Sequence, residues 1–165
     1  MKLFLSLISL SILVVSCGVY SFTGASIPTE AKTISVQYIS NKAAIVQPSL
    51  SQVMTDGLID AFAGQTNLEI TENEGDLSFS GYITKYQIKP MAIKANETAS
   101  QNRLTIAIKI KYNNSFDAKS SFEQTFSRYH DYDSSENISD VEGEYIEKIT
   151  NELVEDIFNK AFVNW

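Results

Sequence analysis

The sequence predicts an α+β domain, a two-layer sandwich in which a four-stranded mixed sheet carries two helices on one face, in the order β-α-β-β-β-α. Three observations predict it. Two segments repeat apolar residues at three- and four-residue steps, as an amphipathic helix does, and four others alternate apolar with polar, as a half-buried strand does. Both helical stripes also need an apolar surface, and the alternating strands supply one on a single side of the sheet.

The first strand is read over residues 32–40, with Ile34, Val36 and Tyr38 on one side and Thr33, Ser35 and Gln37 on the other. A helix follows at Pro48-Ser49, where Ser49 and Gln52 have the spacing of a capping box. Leu50, Val53, Met54, Leu58, Ala61 and Phe62 form its apolar stripe, and Gly64 is placed to stop it. Gly57 weakens the middle by up to about 1 kcal/mol relative to Ala, a weakness that close packing on the sheet would explain.

Residues 68–70 read as a short strand or the lead-in to one, and residues 73–76 (NEGD) as a turn. Leu77, Phe79, Gly81 and Ile83 alternate with Ser78, Ser80, Tyr82 and Thr84 in a strand with room to continue to Lys89. Gly81 within it points to a bulge or a close backbone approach. Residues 90–102 have no period and read as a long loop, while residues 103–113 place Leu104, Ile106, Ile108, Ile110 and Tyr112 on one face. After a turn over residues 113–119, Phe122 and Phe126 mark the fourth strand, with Gln124 on their side, and residues 131–137 form a polar loop. The last helix starts at Ser139, with Glu142 as its capping-box partner. Val141, Tyr145, Ile149, Leu153, Ile157, Phe158, Ala161 and Trp165 form a face that Ile146, Val154 and Phe162 widen.

The chain before this domain has a different character. Lys2 precedes an apolar stretch over residues 3–15, too short for the about 20 residues of a spanning helix and suited to the h-region of a secretory signal. Val14-Val15-Ser16-Cys17 then resembles a bacterial lipobox and contains the only cysteine among 165 residues. Proteins with that motif receive a diacylglycerol on the thiol and lose the signal ahead of it, and the new amine is usually fatty-acylated too. Two or three acyl chains anchor stably where one does not. The expected organisation is a signal peptide over residues 1–16, a lipidated N-terminus and linker over 17–31, and one sandwich domain over 32–165. The mature chain would hold 149 residues with 12 basic and 20 acidic groups, a net charge of −8 that leaves no electrostatic footprint for nucleic acid.

The sheet face that the helices leave uncovered carries mainly hydroxyls and tyrosines, among them Ser35, Ser78, Ser80, Tyr82, Thr84, Thr105, Thr125, Ser127 and Tyr129. An ordinary solvated face is one reading. A polar but enclosed setting, such as the wetted interior of a membrane β-barrel, is the other. Lys109 and Lys111 share this face by period, and Lys85 and Lys89 join them only if a register shift follows Thr84. Lysines so placed would engage phosphates as point charges.

Four strings, CGVYSFTGASIP, GDLSFSGYITKY, NRLTIAIKIKY and EDIFNKAFVNW, taken in order with the lipobox, resemble the LPS-assembly lipoprotein LptE family in its Bacteroidota-type branch. The resemblance spans residues 17–165. It implies a lipoprotein of the outer membrane that faces the periplasm and plugs the lumen of a large LptD-like β-barrel, where it supports insertion of lipopolysaccharide into the outer leaflet. Lipopolysaccharide would be its ligand, with Lys85, Lys89, Lys109 and Lys111 as candidate contacts. Ser80, Tyr82, Thr105 and Tyr129, with Met91 and Ile93 of the loop, would face the barrel. The absence of acidic residues between Cys17 and Thr29 fits a periplasm-facing anchor. The alternative is a stand-alone periplasmic lipoprotein that binds a small ligand or an envelope polymer.

No enzyme is expected. His130, read as a loop residue, has Asp131 and Asp133 nearby, but the thiol is committed to lipid and no G-x-S-x-G elbow occurs. Asp131, Asp133 and Glu136 lack the glycine and the spacing of a calcium loop, so neither metal nor cofactor is expected.

Overall fold

A computed structural model describes residues 27–91 and 100–163. The order is β1 (Thr33–Val36), β2 (Ser40–Asn41), α1 (Leu50–Gln65), β3 (Glu69–Ile70), β4 (Leu77–Pro90), β5 (Gln101–Asn114), β6 (Phe122–Asp133) and α2 (Ile138–Phe162). The class is the expected one, two helices on a mixed sheet. The sheet has six strands rather than four, in the path β3-β1-β4-β5-β6, with β2 pairing β4 off that path. β1 pairs in parallel with β3 and β4, whereas β4, β5 and β6 form an antiparallel meander.

The first strand departs from simple alternation. Val36 opposes Phe79 but Ser40 opposes Tyr82, so one extra residue is accommodated between β1 and β2. The parity therefore flips: Ile39 is fully buried and Tyr38, expected in the core, is 60% exposed.

α1 begins without the expected capping box. The Ser49 side chain makes no cap bond, and Gln47 Oε1 instead accepts from the N–H groups of Ser49 (2.7 Å) and Leu50 (3.1 Å). Gly64 lies inside the helix, which ends where Thr66 Oγ1 donates to the Phe62 carbonyl at 2.7 Å. Gly57 serves close packing, but on the other helix: a Cβ there would meet Thr150 and Val154 at 3.4 Å. α2 is capped by Asn137, whose Oδ1 accepts from Ser139 N–H at 3.3 Å, and not by Ser139 with Glu142. Glu142 accepts from Tyr86 Oη and from Gln47. The contacts Gln47–Glu142, Gly57–Thr150 and Phe62–Phe158 show that the helices run in the same direction.

The core lies between the layers. Leu50, Met54, Leu58 and Phe62 of α1 and Ile149, Leu153, Ile157 and Phe162 of α2 bury against Leu77, Phe79, Ile83, Leu104, Ile106, Ile108 and Ile110. Full burial of each such side chain contributes about 1.5–3 kcal/mol. Phe62 packs on Phe79 with centroids 4.5 Å apart, and Tyr112 on Phe79 at 4.7 Å. Burial pushes the Tyr112 hydroxyl up to about 12. α2 ends at Phe162 with Val163 as its C-cap, and Trp165 lies outside the described residues.

β4 and β5 extend further than their periodicity indicates. β4 runs to Pro90 and β5 starts at Gln101, with Met91 N–H donating to the Gln101 carbonyl at 2.8 Å. The long loop read from the sequence is therefore paired strand at both ends. β6 extends to Asp133 and takes up His130, which is a strand residue with its ring tilted against Tyr145 at 4.4 Å between centroids, not a loop residue.

Candidate functional site

The uncovered face is set by the register of β4, β5 and β6. Up to Ile83 the pairing with β5 is regular, with Tyr82 opposite Lys109 and Ser80 opposite Lys111. A bulge at Thr84 then inserts one residue, since Ile83 opposes Ile108 but Lys85 opposes Ala107. After the bulge Tyr86 turns into the core, 5% exposed, while Lys85, Gln87 and Lys89 turn outward. The shift on which the four-lysine reading depended is present. Lys85, Lys89, Lys109 and Lys111 occupy one face.

They are not equivalent. Lys109 pairs with Glu123 on β6, and a side-chain hydrogen bond holds the Glu123 carboxyl below, and the Lys109 ammonium above, their ordinary ranges. Lys85, Lys89 and Lys111 form no ion pair among the described residues. Ser80, Tyr82, Lys109 and Lys111 border a shallow groove of about 340 Å³ together with Gln37. Lys111 also borders a second one of about 320 Å³ with Ser78 and Asn113.

Thr105 opposes Gln87 on one side and Tyr129 on the other, so Ser80, Tyr82, Thr105 and Tyr129 all lie on this face. Tyr129 is 52% exposed and carries the Arg103 guanidinium 3.6 Å from its ring centroid. Arg103 also grips Asp131 with two bonds of 2.6 and 2.7 Å, which hold the Asp131 carboxyl below its usual range. Met91 is half-buried at the end of β4, and Ile93 lies outside the described residues, as does Cys17.

Sequence reasoning passed over two cations here. Arg103 has the parity of Thr105 and was legible by that signal. Lys42, whose Nζ stands 4.3 Å from the Tyr82 centroid, was not, because its place depends on the two-residue strand β2. The face offers hydroxyls, amides and unpaired ammonium groups on a rigid sheet. It can hydrogen-bond a polar wall and hold anionic oxygens, and Asp131 is engaged by Arg103 rather than by His130.

A family model described as LptE, lipopolysaccharide-assembly, matches residues 31–161. No curated protein sequence matches the chain significantly. Among solved structures the chain is similar to a minor lipoprotein from Acinetobacter baumannii, with a TM-score of 0.53 and 10% identity over 79% of this chain and 91% of that one. It is also similar to lipoprotein B from Nitrosomonas europaea, with a TM-score of 0.50 and 8% identity over 86% of each chain. A Chlamydia trachomatis protein gives a TM-score of 0.50 at 7% identity over 81% of this chain and 99% of that one. At these identities the likeness is one of fold. No described helix is long and apolar enough to cross a membrane.

Proposed function

The chain belongs to the LptE family of lipopolysaccharide-assembly proteins, and from that premise we propose that it is a lipid-anchored outer-membrane subunit that plugs and helps assemble the β-barrel of a lipopolysaccharide translocon. The observation that carries this reading is that the family match, residues 31–161, covers the folded domain nearly end to end. The signal peptide over residues 1–16, the acylated Cys17 and the linker to residue 31 complete the proposal and place the domain on the periplasmic side.

The sheet supports a plug. Its helices cover one face only, and the other presents Ser80, Tyr82, Thr105 and Tyr129, a surface suited to a polar barrel wall. Lipopolysaccharide phosphates would meet Lys111 before Lys109, because Lys109 already has Glu123. Such a subunit acts by occupancy and binding, without catalysis.

The test is recovery of the mature protein from outer membranes. A large, heat-modifiable barrel co-eluting in fixed ratio is the expected result. A lone monomer would overturn the plug and favour the stand-alone lipoprotein.

A further inference from the structure

The sheet leaves one strand edge open in its middle. β2 stops opposite Ile83, with Lys42 N–H donating to the Ile83 carbonyl at 3.0 Å, while β4 runs on to Pro90. From Thr84 onward β4 is paired only with β5 among the described residues. An open edge of this kind is a row of backbone donors and acceptors that templates another strand.

The exposed aliphatics gather at the same place. Among the described residues the large aliphatic side chains left exposed are Ile45 (58%), Val46 (61%) and Ile88 (37%). Ile88 is on the open stretch itself. Ile45 and Val46 lie in a loop fixed beside it at both ends, by Lys42 on Ile83 and by Gln47 on Glu142, the carboxylate that also accepts from Tyr86. Asn41 braces that loop, its Oδ1 accepting from Ala43 N–H at 3.0 Å and its Nδ2 donating to the Gln47 carbonyl at 3.4 Å. On the other face of the same stretch stand Lys85 and Lys89, without ion pairs among the described residues.

We propose that the β4 edge from Thr84 to Ile88 receives an extended segment of a protein partner as an added strand, with apolar side chains toward Ile45, Val46 and Ile88 and acidic side chains toward Lys85 and Lys89. Alternate residues of a strand face opposite sides, so one segment can satisfy both surfaces at once. The proposal rests on the plug reading, in which the barrel supplies that segment.

Other occupants fit less well. A lipid surface cannot satisfy backbone donors and acceptors. The chain's own residues 18–29 carry no acidic side chain, and the described chain begins near the opposite end of β4, where Thr33 meets Asp76. A second copy could pair its own β4 edge with this one about a twofold axis, but that would bring the like-charged Lys85 and Lys89 of both copies onto one shared face, where they repel.

The test compares hydrogen–deuterium exchange of the free mature protein with that of the complex recovered from outer membranes. The expected result is that edge-facing amides within residues 84–88 exchange at least about tenfold more slowly in the complex. The double variant I45S/V46S should keep its melting temperature and lose roughly tenfold in barrel recovery, since both side chains are exposed in the free domain. A barrel recovered with residues 84–88 exchanging at the free rate overturns this proposal alone. Failure to recover a barrel with the wild-type protein overturns the plug reading and this proposal with it. Self-association of the mature protein that I45S/V46S abolishes would assign the edge to a second copy and overturn it as well.

Discussion

Asp76 and Thr33 bond each other reciprocally. Asp76 Oδ2 accepts from the Thr33 N–H and from Thr33 Oγ1, both at 3.0 Å, while Thr33 Oγ1 accepts from the Asp76 N–H at 2.9 Å. The same carboxylate oxygen accepts from the Lys32 N–H at 2.9 Å. A single side chain thereby ties the start of β1 to the turn before β4, 43 positions along the chain.

These bonds make the clamp sensitive to acid. They hold the Asp76 carboxyl below its ordinary range, the Lys32 backbone bond contributing most. A carboxyl depressed in the folded state stabilises fully above its unfolded value, near about 3.9, and that stabilisation disappears as pH falls through the folded value. Asp76→Asn should therefore melt below the wild type between pH 7 and 5, and the gap should close as pH drops below about 4. Thermal melts across that range measure it. A gap that persists undiminished at pH 3 would mean that the charge contributes nothing to the clamp.

Gly81 is held by its neighbour strand. A Cβ at this position would stand 2.2 Å from the backbone oxygen of Lys109 and 3.0 Å from Ile110. Backbone cannot swing aside as a flexible side chain can, so Gly81→Ala must part β4 from β5. We expect a loss of about 1–3 kcal/mol or more, typical of overpacking, read as a lower urea midpoint with an unchanged slope. Gly64→Ala is the control, because nothing lies within 4 Å of a Cβ there, and it should be neutral or slightly stabilising.

The close approach at Gly81 was legible because glycine inside a strand is conspicuous. The Thr84 bulge was legible only as a condition, since lysines at positions 85 and 89 share the lysine face only if the register slips. β2 was beyond reach, because two residues carry no period, whereas β3 falls within residues 68–70, which read as a short strand or the lead-in to one. Tyr38 and Ile39 exchanged places for the same reason: one inserted residue reverses every face that follows. Both capping boxes had the right spacing, yet Gln47 and Asn137, which reach back from outside the predicted helix starts, took the roles instead. The long helix face from Tyr145 to Phe162 was read correctly because eight buried apolar positions repeat one period.

Anchoring gives a prediction independent of the fold. Cys17→Ala removes the only thiol that could take lipid. The variant should lose incorporation of labelled palmitate and remain either unprocessed or released from the membrane, because fewer than two acyl chains do not anchor stably. Labelled fatty acid still incorporated into this variant would refute the lipobox.

The hydroxyl-rich face gives the last one. Ser80 opposes Lys111, and Thr105 lies between Gln87 and Tyr129, so both are on the surface that a barrel wall would cover. In the free domain a carboxylate at either place meets water, and at position 80 it also gains a lysine neighbour. Ser80→Glu with Thr105→Glu should therefore shift stability by no more than about 0.5 kcal/mol. Against a wall the outcome differs, because a hydroxyl finds a partner where an added carboxylate is left unpaired, and burying such a charge costs about 3–5 kcal/mol. That is enough to lower recovery of the barrel more than a hundredfold at fixed concentration. Melts of the purified variant and barrel recovery from outer membranes are to be measured side by side. Normal melting with normal recovery would show that water, not a partner, covers this face.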